Sequence, residues 1–347
     1  MTWDELKIRQ ITNQHLLRDA DKMTVVRDLC GIQAQFLSNA LHSLKIRCTN
    51  FDKSTFANGL VKNWTIRGTV HVFAEDDLPL FLDAQTYRSD DWTIPSFWNR
   101  REDWTLTPER QKELSELILS TLRSGAQTRE DLKDICRATG MSEAEEASMF
   151  HPWGGGIREL CERGFMHALV QEEKAYCLTP IFDPMPEDVA KLELARRYFT
   201  HIAPATIHDA MYFFRTTAAQ VKKWLGQLPV TAIECEGKTY FYIEDGTQYS
   251  DDMPRCLFLA GFDQLLLGYE KKESLYLQQE HLRKIFNLAG IVAPALLLNG
   301  QIIGRWKINR KKLTIELFAS ISAHDKSTIE QTAYTLWDDS VRIIFEQ

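Results

Sequence analysis

Apolar residues recur at helical spacing through most of the chain, and one order of elements, helices followed by a short hairpin, returns three times. In the first pass, helices are expected over roughly 4–13, 22–31 and 53–60. The alternating stretch TIRGTVHVF then forms a hairpin strand. A linking stretch, 75–106, holds DDLPLFLDAQTYR, expected as helix, and a loop around Ile94-Pro95.

The second pass opens at LTPERQKELSELILSTLRSG, with Thr107 as N-cap and Pro108 at the first helical position. Leu114, Leu117, Ile118 and Leu122 form its apolar face, and Gly125 stops it. Thr128 caps a short helix ending at Gly140. Helices follow around 143–150 and in IRELCERG, and FMHALVQEEKAYCLTP reads strand, polar turn, strand. The third pass has a helix at 187–201, then PATIHDAMYFF and TTAAQVKKWLGQL, then a hairpin turning at Glu236-Gly237-Lys238.

Helices closed by a hairpin are the pattern of a winged helix-turn-helix. From about 253 the texture changes to apolar strands in LFLAGFDQLLLGY, PALLLNGQIIGRW and KINRKKLTIELFA. Asn299-Gly300 between apolar runs marks a hairpin, and HDKSTIEQTAYTLWDDSVRIIF is expected as a closing helix. The expected class is therefore α+β: three tandem winged helix-turn-helix units and a C-terminal antiparallel β-barrel-like domain. The boundaries expected are 1–106, 107–186, 187–250 and 251–347.

A length of 347 residues fits several units, since single cores rarely grow past about 250–300 residues. Hydrophobic residues at 44% and charged residues at 26% are ordinary globular usage, and no run approaches the roughly 20 apolar residues of a membrane helix. The start, MTWDELKIRQ, lacks a secretory core, so the expected compartment is the cytoplasm and no membrane partner is expected. Seven cysteines with no CxxC pair point to reduced thiols, and no His/Cys/carboxylate spacing suggests a metal. A net charge of −7 excludes a uniformly basic coat but not a local basic groove. Candidate patches are Arg100–Arg101, Arg196–Arg197, Lys222–Lys223, Lys271–Lys272, and Arg305, Lys307, Arg310, Lys311 and Lys312 in RWKINRKK.

There is no GxSxG elbow, and the glycine run of WGGGIREL lacks the lysine of a P-loop, so it is expected as a turn or helix-packing device. The informative stretch is GIQAQFLSNALHSLKIR. Gly31 should end the preceding helix. Glutamines two apart diverge by about 200° on a helix but face one way on extended backbone. If Gln33 and Gln35 share a substrate, residues 31–35 are not regular helix.

This stretch, with WTIRGTVHVFAEDDLP, PATIHDAMYFF, AGFDQLLLGY and NGQIIGRW in order, resembles a bacterial family of winged-helix DNA-binding-domain proteins. Its characterised branch is the interstrand-crosslink DNA glycosylases of the AlkZ and YcaQ type. The resemblance implies that Gln33-Ala34-Gln35 is the catalytic motif, with Arg67, Thr69, His71 and Asp263 in support. Gln264 departs from relatives that carry an acid there. The implied partner is double-stranded DNA carrying alkylated or crosslinked guanine, met by a monomer without cofactor or metal.

The chemistry is coherent. A neutral amide neither donates nor accepts a proton usefully near pH 7. Such an enzyme needs a leaving group that is already activated, and cationic N7-alkylguanine departs as a neutral base. The amides position water and stabilise the oxocarbenium. A crosslinked base cannot enter a snug pocket, so an open surface is expected. On an alternating strand Arg67, Thr69 and His71 share one face, opposite Ile66, Gly68 and Val70, with His71 a core or supporting residue. The alternatives are a non-enzymatic winged-helix regulator and a family member with structural duties only. Acidic SEAEEASMF opposes a recognition role for the second unit, while TTAAQVKKWL leaves the third available.

Overall fold

Most helices begin at a residue whose side chain accepts from the first free backbone N–H groups, the usual device for starting a helix. The computed structural model describes residues 1–18, 20–65, 67–93, 103–250 and 252–346. Ile66, Ile94-Pro95 and Arg100–Arg101 lie outside these residues. The chain divides into two units, Met1–Lys53 with Ala195–Gln347, and Ser54–Leu194. These cuts fall inside the first and third of the four segments expected from sequence.

In the first unit, Thr2 and Glu5 form a capping box on α1 (Trp3–Asn13) and Asp21 caps α2 (Lys22–Asp28). A two-residue strand, β1 (Ile32–Gln33), leads to α3 (Leu37–Lys45). α2 stops three residues before the expected end because Cys30 and Gly31 are both left-handed, with φ of 55° and 76°. The helix expected at 53–60 is instead a run of turns.

The second unit holds β2 (Leu60–Trp64), β3 (Val70–Ala74) and α4 (Leu78–Phe81). It continues through α5 (Pro108–Leu122), β4 (Gln127–Thr128), α6 (Arg129–Ala138), α7 (Glu143–Met149), α8 (Gly155–Glu162), β5 (Met166–Ala168) and β6 (Ala175–Leu178). Thr107 and Thr128 cap α5 and α6 as expected. TIRGTVHVF is not one strand. Gly68 at φ 79° lets its N–H reach the Thr65 carbonyl at 2.7 Å, so a turn occupies the first half and pairing starts at Val70. Within DDLPLFLDAQTYR only Leu78–Phe81 is α-helical, with turns following. The strands here run β3-β2-β5-β6-β4, over a core that includes Leu114, Ile118, Leu132, Leu160 and Met166. The glycine run serves packing. A Cβ on Gly155 would lie 2.2 Å from the Ser148 carbonyl oxygen, and one on Gly156 2.2 Å from Met149 Sδ.

Next come α9 (Glu187–Arg197), a π-helical turn over Tyr198–Ile202, α10 (Ile207–Phe214), α11 (Ala218–Leu225) and the hairpin β7 (Thr231–Cys235) and β8 (Lys238–Tyr242). Its turn residues Glu236 and Gly237 are left-handed, at φ of 49° and 76°. The chain closes with β9 (Cys256–Leu259), α12 (Gln264–Leu267), α13 (Leu282–Ile285), β10 (Ala295–Leu298), β11 (Gln301–Asn309), β12 (Lys312–Leu317), α14 (Ala323–Trp337) and β13 (Arg342–Glu346).

Three expectations change here. LFLAGFDQLLLGY is a strand only to Leu259, after which Asp263 caps a short helix. The closing helix stops at Trp337, and RIIFE becomes β13, parallel to β12. The sheet runs β13-β12-β11-β10-β9 without joining its ends, so it is open and mixed, not a barrel. α14 covers it with Ile329 and Ala333, against Phe258, Leu296 and Ile315. Among the described residues, no helix is long and apolar enough to cross a membrane, and all seven cysteines are free thiols.

Candidate active site

Val26 accepts the Gly31 N–H at 2.8 Å, which closes the end of α2 and turns the chain outward. Beyond it the backbone is extended or irregular as far as Phe36. Ile32 and Ala34 are buried at 4% and 3% exposure, while Gln33 is half-buried and Gln35 exposed. Alternation therefore sends the two apolar side chains inward and leaves both amides access to solvent. Neither amide is sealed inside, and residues 31–35 contain no helix, as two amides on one substrate require.

Asp263, in the same unit, caps α12. Its side chain has no exposure, and its two oxygens accept from Arg47 Nη1 and Nη2 at 2.9 and 2.7 Å. One of those oxygens also accepts from the Leu265 N–H at 3.0 Å. Burial pushes this carboxyl up, but the Arg47 charge and bonds and the Leu265 N–H outweigh it and hold it below its ordinary value. Arg47 further donates to the Gln14 carbonyl and to Ser43. Asp263 is thus a fixed loop anchor, not a group open to a ligand.

In the second unit Arg67 and Thr69 sit in the turn before β3, both half-buried, and only His71 is on the strand. The shared strand face expected for the three does not exist. His71 is fully buried, with Nδ1 3.0 Å from the Thr69 carbonyl and 3.2 Å from Thr65 Oγ1. Its Nε2 is buried without a partner among the described residues. Burial first, and then the Arg67 charge, push it well below its ordinary value, so it is neutral. It braces the turn through the Thr69 carbonyl.

Among the described residues, most of the candidate basic side chains are exposed, whereas Arg197 and Lys271 are half-buried. Lys222 and Lys223 lie in the last turn of α11, Arg305 and Lys307 on β11, Arg310 and Lys311 in the turn, and Lys312 at the start of β12. Arg305 differs from its neighbours: its guanidinium pairs across the strands with Glu316 at 2.7 Å.

The family model described as "DNA glycosylase AlkZ-like" matches residues 26–337. The chain belongs to the AlkZ-like DNA glycosylase family. A Streptomyces sahachiroi protein named "Interstrand DNA cross-link repair glycosylase" is 26% identical over 330 residues, covering 89% of this chain and 88% of its own. The solved structure of Streptomyces sahachiroi DNA glycosylase AlkZ superposes with a TM-score of 0.78 at 24% identity. It covers 100% of this chain and 99% of the other, so the AlkZ mixed α+β fold is shared.

Two features of this AlkZ-like chain escape a sequence reading because their parts are far apart. The first is Arg47, which nothing local marks as the partner of Asp263, 216 residues away. The second is a cluster of His15, Asp28 and His201, whose candidate ligand atoms lie within 4.8 Å of one another. His15 Nε2 is 2.7 Å from Asp28 Oδ2 and His201 Nε2 3.3 Å from Oδ1. Arg18 Nε donates to His15 Nδ1 at 3.2 Å, which leaves Nε2 to carry the proton given to Asp28. The arrangement is a hydrogen-bonded clasp at the end of α2, the helix that delivers Gln33 and Gln35.

Proposed function

We propose that this chain hydrolyses the N-glycosidic bond of N7-alkylated, bulky or interstrand-crosslinked guanine in double-stranded DNA, leaving an abasic site. Gln33 and Gln35 are the catalytic pair. The observation that carries this reading is the non-helical Ile32–Gln35 backbone, strand at Ile32–Gln33 and irregular beyond, which buries Ala34 and gives both amides access to solvent. Their dipoles can hold a water near C1′ and offset charge developing on the sugar, while the cationic base leaves without a proton donor. The name of the Streptomyces sahachiroi relative, an interstrand DNA cross-link repair glycosylase, supports the substrate class.

Support roles follow from position. Arg67 and Thr69 shape the turn, His71 braces it, and Asp263 anchors the loop before α12. Lys222, Lys223, Lys307, Arg310, Lys311 and Lys312 contact phosphates, with Arg305 a weaker contributor because Glu316 holds it. We read residues 1–106, 107–186 and 187–250 as winged helices and 251–347 as the β-rich domain. The succession α10, α11 and the β7–β8 hairpin supports this for the third. The protein acts as a cytoplasmic monomer without cofactor.

The test is incubation with a duplex carrying 7-methylguanine or a guanine–guanine crosslink, scored for abasic sites. Gln35→Ala should lower cleavage by about 10²-fold or more, the scale of one lost transition-state donor. Affinity for undamaged duplex should barely change. Cleavage that survives both Gln33→Ala and Gln35→Ala would reject this site.

A further inference from the structure

We propose that Phe36 is an aromatic subsite that stacks on the cationic N7-alkylated guanine and selects it over ordinary guanine. This rests on the reading of Gln33 and Gln35 as the catalytic pair. Phe36 follows Gln35 directly and is 46% exposed. It occupies the N-cap of α3, where it makes no side-chain capping bond. Thr, Ser or Asp holds that position in α1, α2, α5, α6, α7, α10, α11, α12 and α14 and accepts a backbone N–H each time. A phenylalanine here therefore does nothing for helix initiation.

Among the described residues the ring is stacked on from one side. Phe262, buried at 4% exposure, stacks on it with centroids 6.0 Å apart and planes 28° apart. Phe262 is itself held in a left-handed conformation, φ 58°, which residues with a Cβ adopt only under constraint. The flanking residues enforce it. Asp263 is clamped by Arg47, and Gly261 packs so closely on α3 that a Cβ there would sit 2.7 Å from Asn39 Nδ2. The AGFD stretch thus builds a rigid back to the Phe36 ring.

The free face suits a planar ligand, and its negative π-cloud favours a cationic one. N7-alkylguanine is the base that carries such a charge. When the N9–C1′ bond breaks, its electron pair passes to the base and neutralises the ring. Water adds its oxygen to C1′ and releases a proton to solvent. The platform therefore holds substrate more tightly than the departing base. Because the charge it attracts is already fading from the base in the transition state, the platform serves recognition and gives nothing to the chemical step, which it slightly opposes.

The experiment replaces Phe36 by 4-fluoro-, 3,5-difluoro- and 3,4,5-trifluorophenylalanine, nearly isosteric rings of falling π-density. The probe is a duplex with a single 7-methylguanine under single-turnover conditions. The half-saturating enzyme concentration should rise stepwise by about 10-fold across the series, within the range of a desolvated cation–π interaction. The rate at saturation should not fall, and it should rise by no more than the change in half-saturating concentration. Phe36→Leu should resemble the most fluorinated protein and Phe36→Trp the unmodified one. A flat series, or a change confined to the saturating rate, overturns the platform. If the glutamine variants lose cleavage and the series is flat, only this inference fails. If the glutamine variants keep cleavage, the underlying site is wrong.

Discussion

His42 packs against the rings of Trp306 and Trp337, 4.8 and 5.6 Å between centroids, and donates to the Phe258 carbonyl at 2.7 Å. Burial, opposed by that bond, pushes it down to about 4, and burial does the same to His167. The unfolded chain binds protons near pH 6.5 at both sites and the folded one does not. Their contribution is therefore complete above pH 6.5 and lost as pH falls toward 4, on the order of 2–3 kcal/mol each. Urea midpoints should drop between pH 7.5 and 5, and neither histidine should titrate by NMR above about pH 5. Asp263→Ala should cost about 3–5 kcal/mol by stranding Arg47, whereas a paired Arg47→Met and Asp263→Leu change should restore much of it. Chemical denaturation of the three variants checks this. The glutamine geometry was readable in sequence because Gly31 marks the helix end and alternation does the rest. The Arg47 partnership was not, since no local pattern connects residues 216 positions apart.

Hairpins were the most legible elements. Asn299-Gly300 and Glu236-Gly237 both take the paired positive φ values that a two-residue turn needs. Amphipathic runs were less so: VRIIF continues the pattern of α14, and only the neighbouring β12 decides that it pairs as a strand. TIRGTVHVF alternates in sequence, yet one glycine turns its first half. On the β11–β12 hairpin, replacing Lys307, Arg310 and Lys311 by Ala should lower the salt slope of DNA affinity by about 0.9 for each phosphate no longer neutralised. Arg305→Ala should change it less, because Glu316 already neutralises that charge. Filter binding at several salt concentrations separates the two. At the start of α8, Gly155→Ala adds a methyl against the Ser148 carbonyl and forces L-residue strain at φ 62°, so a loss of about 1–3 kcal/mol is expected in thermal melts.

The second unit is one continuous stretch with its own buried core, so residues 54–194 produced alone should unfold cooperatively. Residues 195–347 produced alone should not. The Ala203 and Pro204 carbonyls would lose the amide donors of Asn13 and Gln10, and Asp263 would lose Arg47. Circular dichroism melts of the two fragments decide the point. That discontinuity also sets a timetable during synthesis. At about 5–20 residues per second, Arg47 leaves the ribosome some tens of seconds before its carboxylate exists. Leu6, buried in the finished protein against Cys235 and Tyr240, stays uncovered through that interval. The earlier-made part of the first unit thus cannot settle until its later-made part has emerged.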